Sequence, residues 1–196
     1  AMHNYHAVYG SLPAAYIADE NGKPLHSWRV ALLPFMEQQH LYDQYNFKEP
    51  WDSPNNLQVA QQMPDIFRCP SGPFAPGSNL TNYVVVVGDP SQPQPQSLFL
   101  PNRWLKFSDV TDGTSNTIMV IETSTPVPWT QPDADPQFDQ FAFQVEMGPD
   151  SMGSFHPNGA NVAMADGSVH FVNRGIDNQT LRLLIQPADG QPVSLP

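Results

Sequence analysis

The chain has few charges, very few basic residues and a single cysteine. Charged residues make up 14 % of its 196 positions, with 8 Lys and Arg against 19 Asp and Glu. The net charge of −11 argues against binding to nucleic acid or to anionic membrane surfaces, because both attract Lys and Arg. The lone Cys69 excludes an intramolecular disulfide. We interpret it as a small buried apolar residue, since the sequence shows no base positioned to activate it as a nucleophile.

Long apolar segments are also absent. No run reaches the roughly 18 apolar residues that a membrane-spanning helix needs, and no signal peptide is recognisable. Proline is abundant instead, with 22 residues, and aromatic residues make up 11 % of the chain. The combination of low charge and many aromatics argues against global disorder. The length predicts one soluble domain, 1–196, with a substantial core.

Local patterns predict helices in the first part of the chain and strands in the second, which indicates an α+β fold with helices against one sheet face. Helix boundaries are marked by Gly10 after the first helix and by possible N-caps at Ser27, Ser53 and Asp177. The predicted helices are 1–9, 28–33, 34–45, 54–62 and 178–186. The predicted strands are 66–69, 83–87, 116–122 and 141–147, and the proline-marked loops are 11–26, 89–101 and 124–140.

Residues 160–172 predict a β-hairpin. Asp166-Gly167 is a preferred pair for a two-residue type I′ turn, in which both central residues need a positive φ. Pairing outward from this turn predicts one apolar face made of two cross-strand pairs: Met164 opposite Val169, and Val162 opposite Phe171.

The hairpin is part of a longer motif, in which nine residues separate His156 from Asp166-Gly167. Other short blocks precede it: HNYH and YGSLP within 3–13, SWRV to YDQY within 27–45, PWDSPNN at 50–56, RCPS at 68–71 and VTDGTSNTIM at 110–119. This ordered set resembles a bacterial family of pilin-like, pseudopilin-related secreted proteins that have a prepilin-type N-terminus and a C-terminal H-x9-DG signature.

The resemblance implies a pilin-like fold, in which an N-terminal helix packs on an antiparallel β-sheet and helical and proline-rich loop insertions follow. It also implies that a membrane-anchoring part of that helix is missing here, so that 1–196 is the soluble domain. The expected function is that of a non-enzymatic structural subunit of an envelope or type II secretion-related filament. The expected partners are other pilin-like subunits, bound through the missing helix, and no nucleic acid. We expect an extracytoplasmic location and a monomeric fragment.

Two other functions are alternatives to this one. An extracytoplasmic module could bind carbohydrate or peptide through an exposed aromatic strip made of Trp28, Trp51, Trp104 or Trp129. Against it, helical spacing predicts that Trp28, Leu32, Leu33, Phe35 and Tyr42 pack as core. A hydrolase could use His156 with Ser154.

The chemistry-bearing residues favour structural roles. A regular strand would hold His156 and Asp166 roughly 15–20 Å apart, too far for a dyad. His3 and His6 share a helix face but lack a third zinc ligand nearby. We therefore predict no catalytic residue, no cofactor and no metal site.

Two acidic segments also carry carboxylates that could have a function. Asp112-Gly113-Thr114-Ser115 is typical of a turn that leads into a strand. Asp133, Asp135 and Asp139 could meet calcium in a loop, although they lack the spacing and glycine of an EF-hand.

Overall fold

The structure combines short α-helices with two antiparallel sheets. It is a computed structural model that describes residues 1–191 and 193–195. The predicted α+β class is confirmed. The α-helices are α1 (Met2–Tyr9), α2 (Trp28–Ala31), α3 (Gln39–Gln44), α4 (Pro54–Ala60) and α5 (Asn178–Ile185). The strands are β1 (Tyr16–Ala18), β2 (Pro24–Ser27), β3 (Leu80–Val84), β4 (Ile118–Pro128), β5 (Gly159–Met164) and β6 (Val169–Asn173).

The larger sheet has the strand order β3-β4-β5-β6 and is covered on both faces, whereas β1 and β2 form a separate pair. On one face, α5 packs through Leu181, Leu184 and Ile185 against the sheet. On the other face, Met2 of α1 lies in a cluster with Val85, Met119 and Ala165. Residues that alternate along a strand point to opposite faces, which explains why neighbouring residues belong to different clusters. No helix within 1–191 or 193–195 is long and apolar enough to cross a membrane.

The first helices form as their caps predict. The Gly10 residue that ends α1 has φ 74°, and the Ser27 hydroxyl accepts the N–H of Arg29 at the start of α2. The predicted helix 34–45 is instead two elements, a 3₁₀ helix over Leu33–Met36 and then α3. Glu37 separates them with φ 61°, a left-handed conformation that no helix can continue through.

Two predicted strands are wrong. Residues 66–69 follow Pro64 and form a 3₁₀ helix over Asp65–Phe67 and then a turn. Residues 141–147 stay irregular, and Phe143 has φ 49°. Both segments are apolar because their aromatic rings fill the core, not because their backbones pair in a sheet.

Strand β3 (Leu80–Val84) begins and ends earlier than the strand 83–87 that the valine run predicts. Val85 and Val87 lie beyond its end, although both are buried. The Val85 N–H donates to the Asp135 carboxylate at 3.0 Å, and the Val87 N–H donates to the carbonyl of Pro136 at 2.8 Å. These two acceptors take the place of hydrogen bonds to a neighbouring strand, since each buried N–H needs one acceptor.

The hairpin forms, but its register differs by one residue from the register that a two-residue turn would give. Gly167 has φ 90°, whereas Asp166 does not have a positive φ. The Met164 N–H bonds to the Ser168 carbonyl at 2.8 Å, which is typical of a three-residue loop with glycine in the left-handed position. The observed pairs are Ala163 with Val169, Val162 with His170, and Asn161 with Phe171.

The predicted single apolar face is therefore wrong. Val162 and Met164 are buried, whereas Val169 and Phe171 are 68 % and 45 % exposed. A shift of one residue moves a strand's side chains to the opposite face, which accounts for the difference.

Candidate functional site

Three side chains from distant parts of the chain meet beside the larger sheet: Cys69, Glu122 and His156. Cys69 Sγ lies 3.5 Å from His156 Nε2, and the same nitrogen lies 3.4 Å from Glu122 Oε1. One donor atom of each residue lies within 4.8 Å of those of the other two. Cys69 and Glu122 are buried, whereas the His156 side chain is 27 % exposed. We refer to these three residues as the Cys-Glu-His cluster.

Cys69 is held by a tight turn that follows the 3₁₀ helix Asp65–Phe67. The Gly72 N–H donates to the Cys69 carbonyl at 3.1 Å. Burial raises the pKa of the Cys69 thiol, and the nearby backbone N–H groups of Ser71 and Gly72 oppose that shift because they favour the thiolate.

Glu122 brings a buried carboxylate to the cluster from within β4. Its side chain is 2 % exposed. Oε2 accepts the backbone N–H of Asn161 at 2.7 Å and the side-chain amide of Asn161 at 3.2 Å. These donors compensate for the loss of solvent and leave Oε1 directed to His156. Burial, together with Cys69 and Glu122, raises the pKa of the neighbouring Tyr83 to about 12.

His156 is positioned by the loop that leads into β5. The Ser154 hydroxyl accepts the backbone N–H of His156 at 2.9 Å and donates to the Gly159 carbonyl at 2.7 Å. Gly159 closes this loop against β6, where a Cβ atom would clash with the Val172 carbonyl oxygen. The backbone around the imidazole is therefore fixed on both sides.

The cluster differs from the triad of a cysteine hydrolase in one respect. In such a triad, one imidazole nitrogen faces the nucleophile and the other faces the carboxylate. Here Nε2 of His156 faces both Cys69 Sγ and Glu122 Oε1. Sulfur, nitrogen and oxygen thus converge on one point, which is the arrangement of a metal-binding donor set.

Residues 1–149 and 139–179 match a protein family described as "Protein of unknown function (DUF1559)". The two matches together extend from the first residue to residue 179 of 196. The chain belongs to this family. No curated protein and no solved structure matches it. The assignment is consistent with the pilin-like family that the sequence resembles, and the DUF1559 description itself gives no function.

In this DUF1559 protein, the two ends of the H-x9-DG motif have different surroundings. His156 belongs to the Cys-Glu-His cluster, whereas Asp166 lies in the turn between β5 and β6. Asp166 Oδ1 accepts the Ser168 N–H at 2.8 Å and the Ser168 hydroxyl at 2.6 Å. Ser154 is buried and its hydroxyl bonds to backbone groups.

The two histidines of α1 use ring nitrogens in contacts with backbone groups. His3 Nε2 lies 2.9 Å from the Ala165 carbonyl oxygen, which connects α1 to the hairpin turn. His6 Nε2 accepts the Phe107 N–H at 3.4 Å. Both imidazoles also lie against the Phe107 ring, at centroid distances of 4.4 and 4.6 Å.

Asp112 connects its turn to the segment after α5. Its carboxylate accepts the N–H groups of Asp189 at 2.7 Å and of Gly190 at 3.1 Å. The Asn116 side chain donates to the Asp112 carbonyl at 3.0 Å, which closes the turn itself. Asp112 thus has a structural role beyond the turn that the sequence predicts.

Asp135 forms a buried ion pair and is separate from the other two loop aspartates. Arg29 donates to both of its carboxylate oxygens, at 2.6 and 3.0 Å, and both side chains are fully buried. The indole N–H of Trp28 donates to the same carboxylate at 3.1 Å. Asp133 accepts from Gln131 and Asp139 from Gln96, as two exposed pairs. The three aspartates therefore do not converge as calcium ligands.

The four tryptophans do not form an exposed strip. Trp28 and Trp129 are 3 % and 0 % exposed, Trp51 is half-buried and Trp104 is 47 % exposed. The predicted helical core is confirmed for its most buried members, which are Trp28, Leu32 and Leu33. Its other two members, Phe35 and Tyr42, are half-buried.

Sequence reasoning did not identify Glu122, although it carried a signal. A carboxylate directly follows the apolar run Ile118–Ile121 in a buried strand. An acidic residue at such a position needs a partner, because burial of an isolated charge is costly. The partner histidine lies 34 residues later, a separation that no local pattern connects.

Proposed function

We propose that this DUF1559 protein is a non-enzymatic, pilin-like structural subunit of an extracytoplasmic filament or secretion-related assembly on the cell envelope. Its partners would be related subunits, which it would meet through α1 and the apolar helical segment that the family resemblance places before it. The membrane anchor and the envelope location belong to this proposal.

The observation that carries the proposal is the placement of α1. This helix packs against the larger sheet through the buried Met2 and contacts the hairpin turn through His3. The C-terminal end of the helix carries exposed apolar side chains, with Val8 66 % and Tyr9 58 % exposed. A helix held on a sheet by one side and open on the other side is suited to pack against a second subunit.

The proposal also agrees with the chemistry of the Cys-Glu-His cluster. One nitrogen of His156 faces both the thiol and the carboxylate, whereas a hydrolase triad uses one imidazole nitrogen for each of these two groups. Burial raises the pKa of the Cys69 thiol, which disfavours the nucleophilic thiolate. The alternative binding module has less support, because Trp28 and Trp129 are buried in the core.

Crosslinking in the native host tests the proposed assembly. The full gene product is made with Val8→Cys, which places a thiol on the exposed side of α1, and cells are treated with a thiol-specific bifunctional reagent. We expect crosslinked species that contain more than one pilin-like subunit. The matched control is Met147→Cys, because Met147 is 60 % exposed and lies far along the chain from α1.

Multimers from Val8→Cys, with few or none from Met147→Cys, support the proposal. A product that stays monomeric in both variants and fractionates away from the envelope would contradict it.

A further inference from the structure

We propose that the Cys-Glu-His cluster is a zinc site, in which Cys69 Sγ, Glu122 Oε1 and His156 Nε2 are the protein ligands and water occupies the fourth position. The site would connect three segments that are distant in sequence and does not depend on the proposed pilin-like role.

Two of the three distances between the donor atoms are those of a tetrahedral zinc site. A Zn–S bond of about 2.3 Å and Zn–N and Zn–O bonds of about 2.0–2.2 Å place sulfur about 3.6 Å from nitrogen and nitrogen about 3.3 Å from oxygen. The structure has 3.5 Å between Cys69 Sγ and His156 Nε2, and 3.4 Å between His156 Nε2 and Glu122 Oε1. Cys69 Sγ and a Glu122 carboxylate oxygen, the third pair, lie within 4.8 Å of each other, so an ion can enter with a small movement of these side chains.

The donor set selects the class of metal. Calcium and magnesium prefer oxygen ligands, whereas thiolate and imidazole suit zinc and related transition metals. One sulfur, one nitrogen and one carboxylate oxygen leave a fourth position open, as in zinc sites that keep a water molecule. His156 is the partly exposed member and marks the side from which water and ion can enter.

Each ligand is oriented by a second set of contacts, which is typical of metal sites. The Gly72 N–H donates to the Cys69 carbonyl and closes the turn that carries the sulfur, and the Asn161 side chain and backbone hold Glu122. The loop around His156 is fixed by the Ser154 hydroxyl. These contacts reduce the loss of side-chain freedom that zinc binding would otherwise require.

Binding would replace the thiol proton of Cys69 by zinc, and the proton would pass to the buffer. The bound ion would connect the RCPS turn, β4 and the loop before β5. We therefore expect zinc to stabilise the fold and to bind less tightly as the pH falls, because protons compete for the sulfur and the imidazole.

The test uses the purified chain, stripped of metal under reducing conditions and titrated with zinc in a calorimeter. We expect one ion per chain and a rise in Tm on binding. His156→Gln should weaken binding at least tenfold while the fold persists, because the residue is partly exposed. Cobalt offers a second readout, since a sulfur-to-cobalt charge-transfer band should appear in the wild type and be lost in Cys69→Ser.

The matched control is His170→Gln, which removes an exposed histidine outside the cluster. It should bind zinc as the wild type does. Stoichiometric binding that is lost in His156→Gln and kept in His170→Gln supports the site. The proposal is overturned if the wild type does not bind, if both histidine variants bind equally, or if the cobalt spectrum lacks the sulfur band.

Discussion

At the scale of single residues, the fold depends on a few buried polar groups whose partners are complete. Arg29 and Asp135 are the clearest pair. The guanidinium also donates to the Tyr83 carbonyl, at 2.8 and 3.1 Å, and lies 4.6 Å from the Trp28 ring. The carboxylate accepts a backbone N–H from Val85 as well. This pair connects α2, the end of β3 and the proline-rich loop after β4.

Asp135→Asn should lower the free energy of unfolding by about 3–5 kcal/mol, because it leaves the Arg29 charge buried without its counter-charge. Urea denaturation measures the change. Asp133→Asn is the matched control, since Asp133 is exposed and should change stability by no more than about 0.5 kcal/mol. If both substitutions lowered the free energy of unfolding equally, and added calcium restored it, the result would instead indicate that the aspartates share an ion.

At the scale of elements, the sequence predicts those parts of the fold that local chemistry determines. The cap residues Gly10, Ser27, Ser53 and Asp177 each mark the helix end that the structure has there. Asp166-Gly167 predicts the hairpin but not its register, because a type I′ turn and a three-residue loop can both place glycine at that position.

Contacts distant in sequence account for two features that the sequence does not predict. The valine run leaves the sheet at Val85 because the Asp135 carboxylate, 50 residues away, accepts its N–H. The Cys-Glu-His cluster joins residues separated by up to 87 positions. Neither contact produces a local sequence pattern, so only the three-dimensional structure reveals the candidate site.

Gly167→Val should lower Tm, because Gly167 has φ 90° and a β-branched residue is strongly disfavoured there. We expect the free energy of unfolding to fall by about 1–3 kcal/mol, the usual scale of local backbone strain. Gly175→Val is the control, since Gly175 has open space around it and no left-handed φ. Thermal unfolding of both variants checks this, and equal Tm values for wild type and Gly167→Val would contradict the hairpin assignment.

At the scale of the whole molecule, a four-stranded sheet separates two cores and brings distant loops together at one side. The N-terminal helix belongs to one core and α5 to the other. Strand β6 is at the sheet edge and carries the exposed Val169 and Phe171. The net charge of −11 opposes close approach of copies at low salt. We therefore expect assembly to need α1 and the segment proposed before it.

Processing in the native host tests the proposed pilin-like role most directly. The mass and location of the full gene product are compared between wild-type cells and cells that lack prepilin peptidase. We predict a processed, envelope-associated protein in the wild type and a longer, unassembled form in the deletion strain. The same mass and the same location in both strains would contradict the claim.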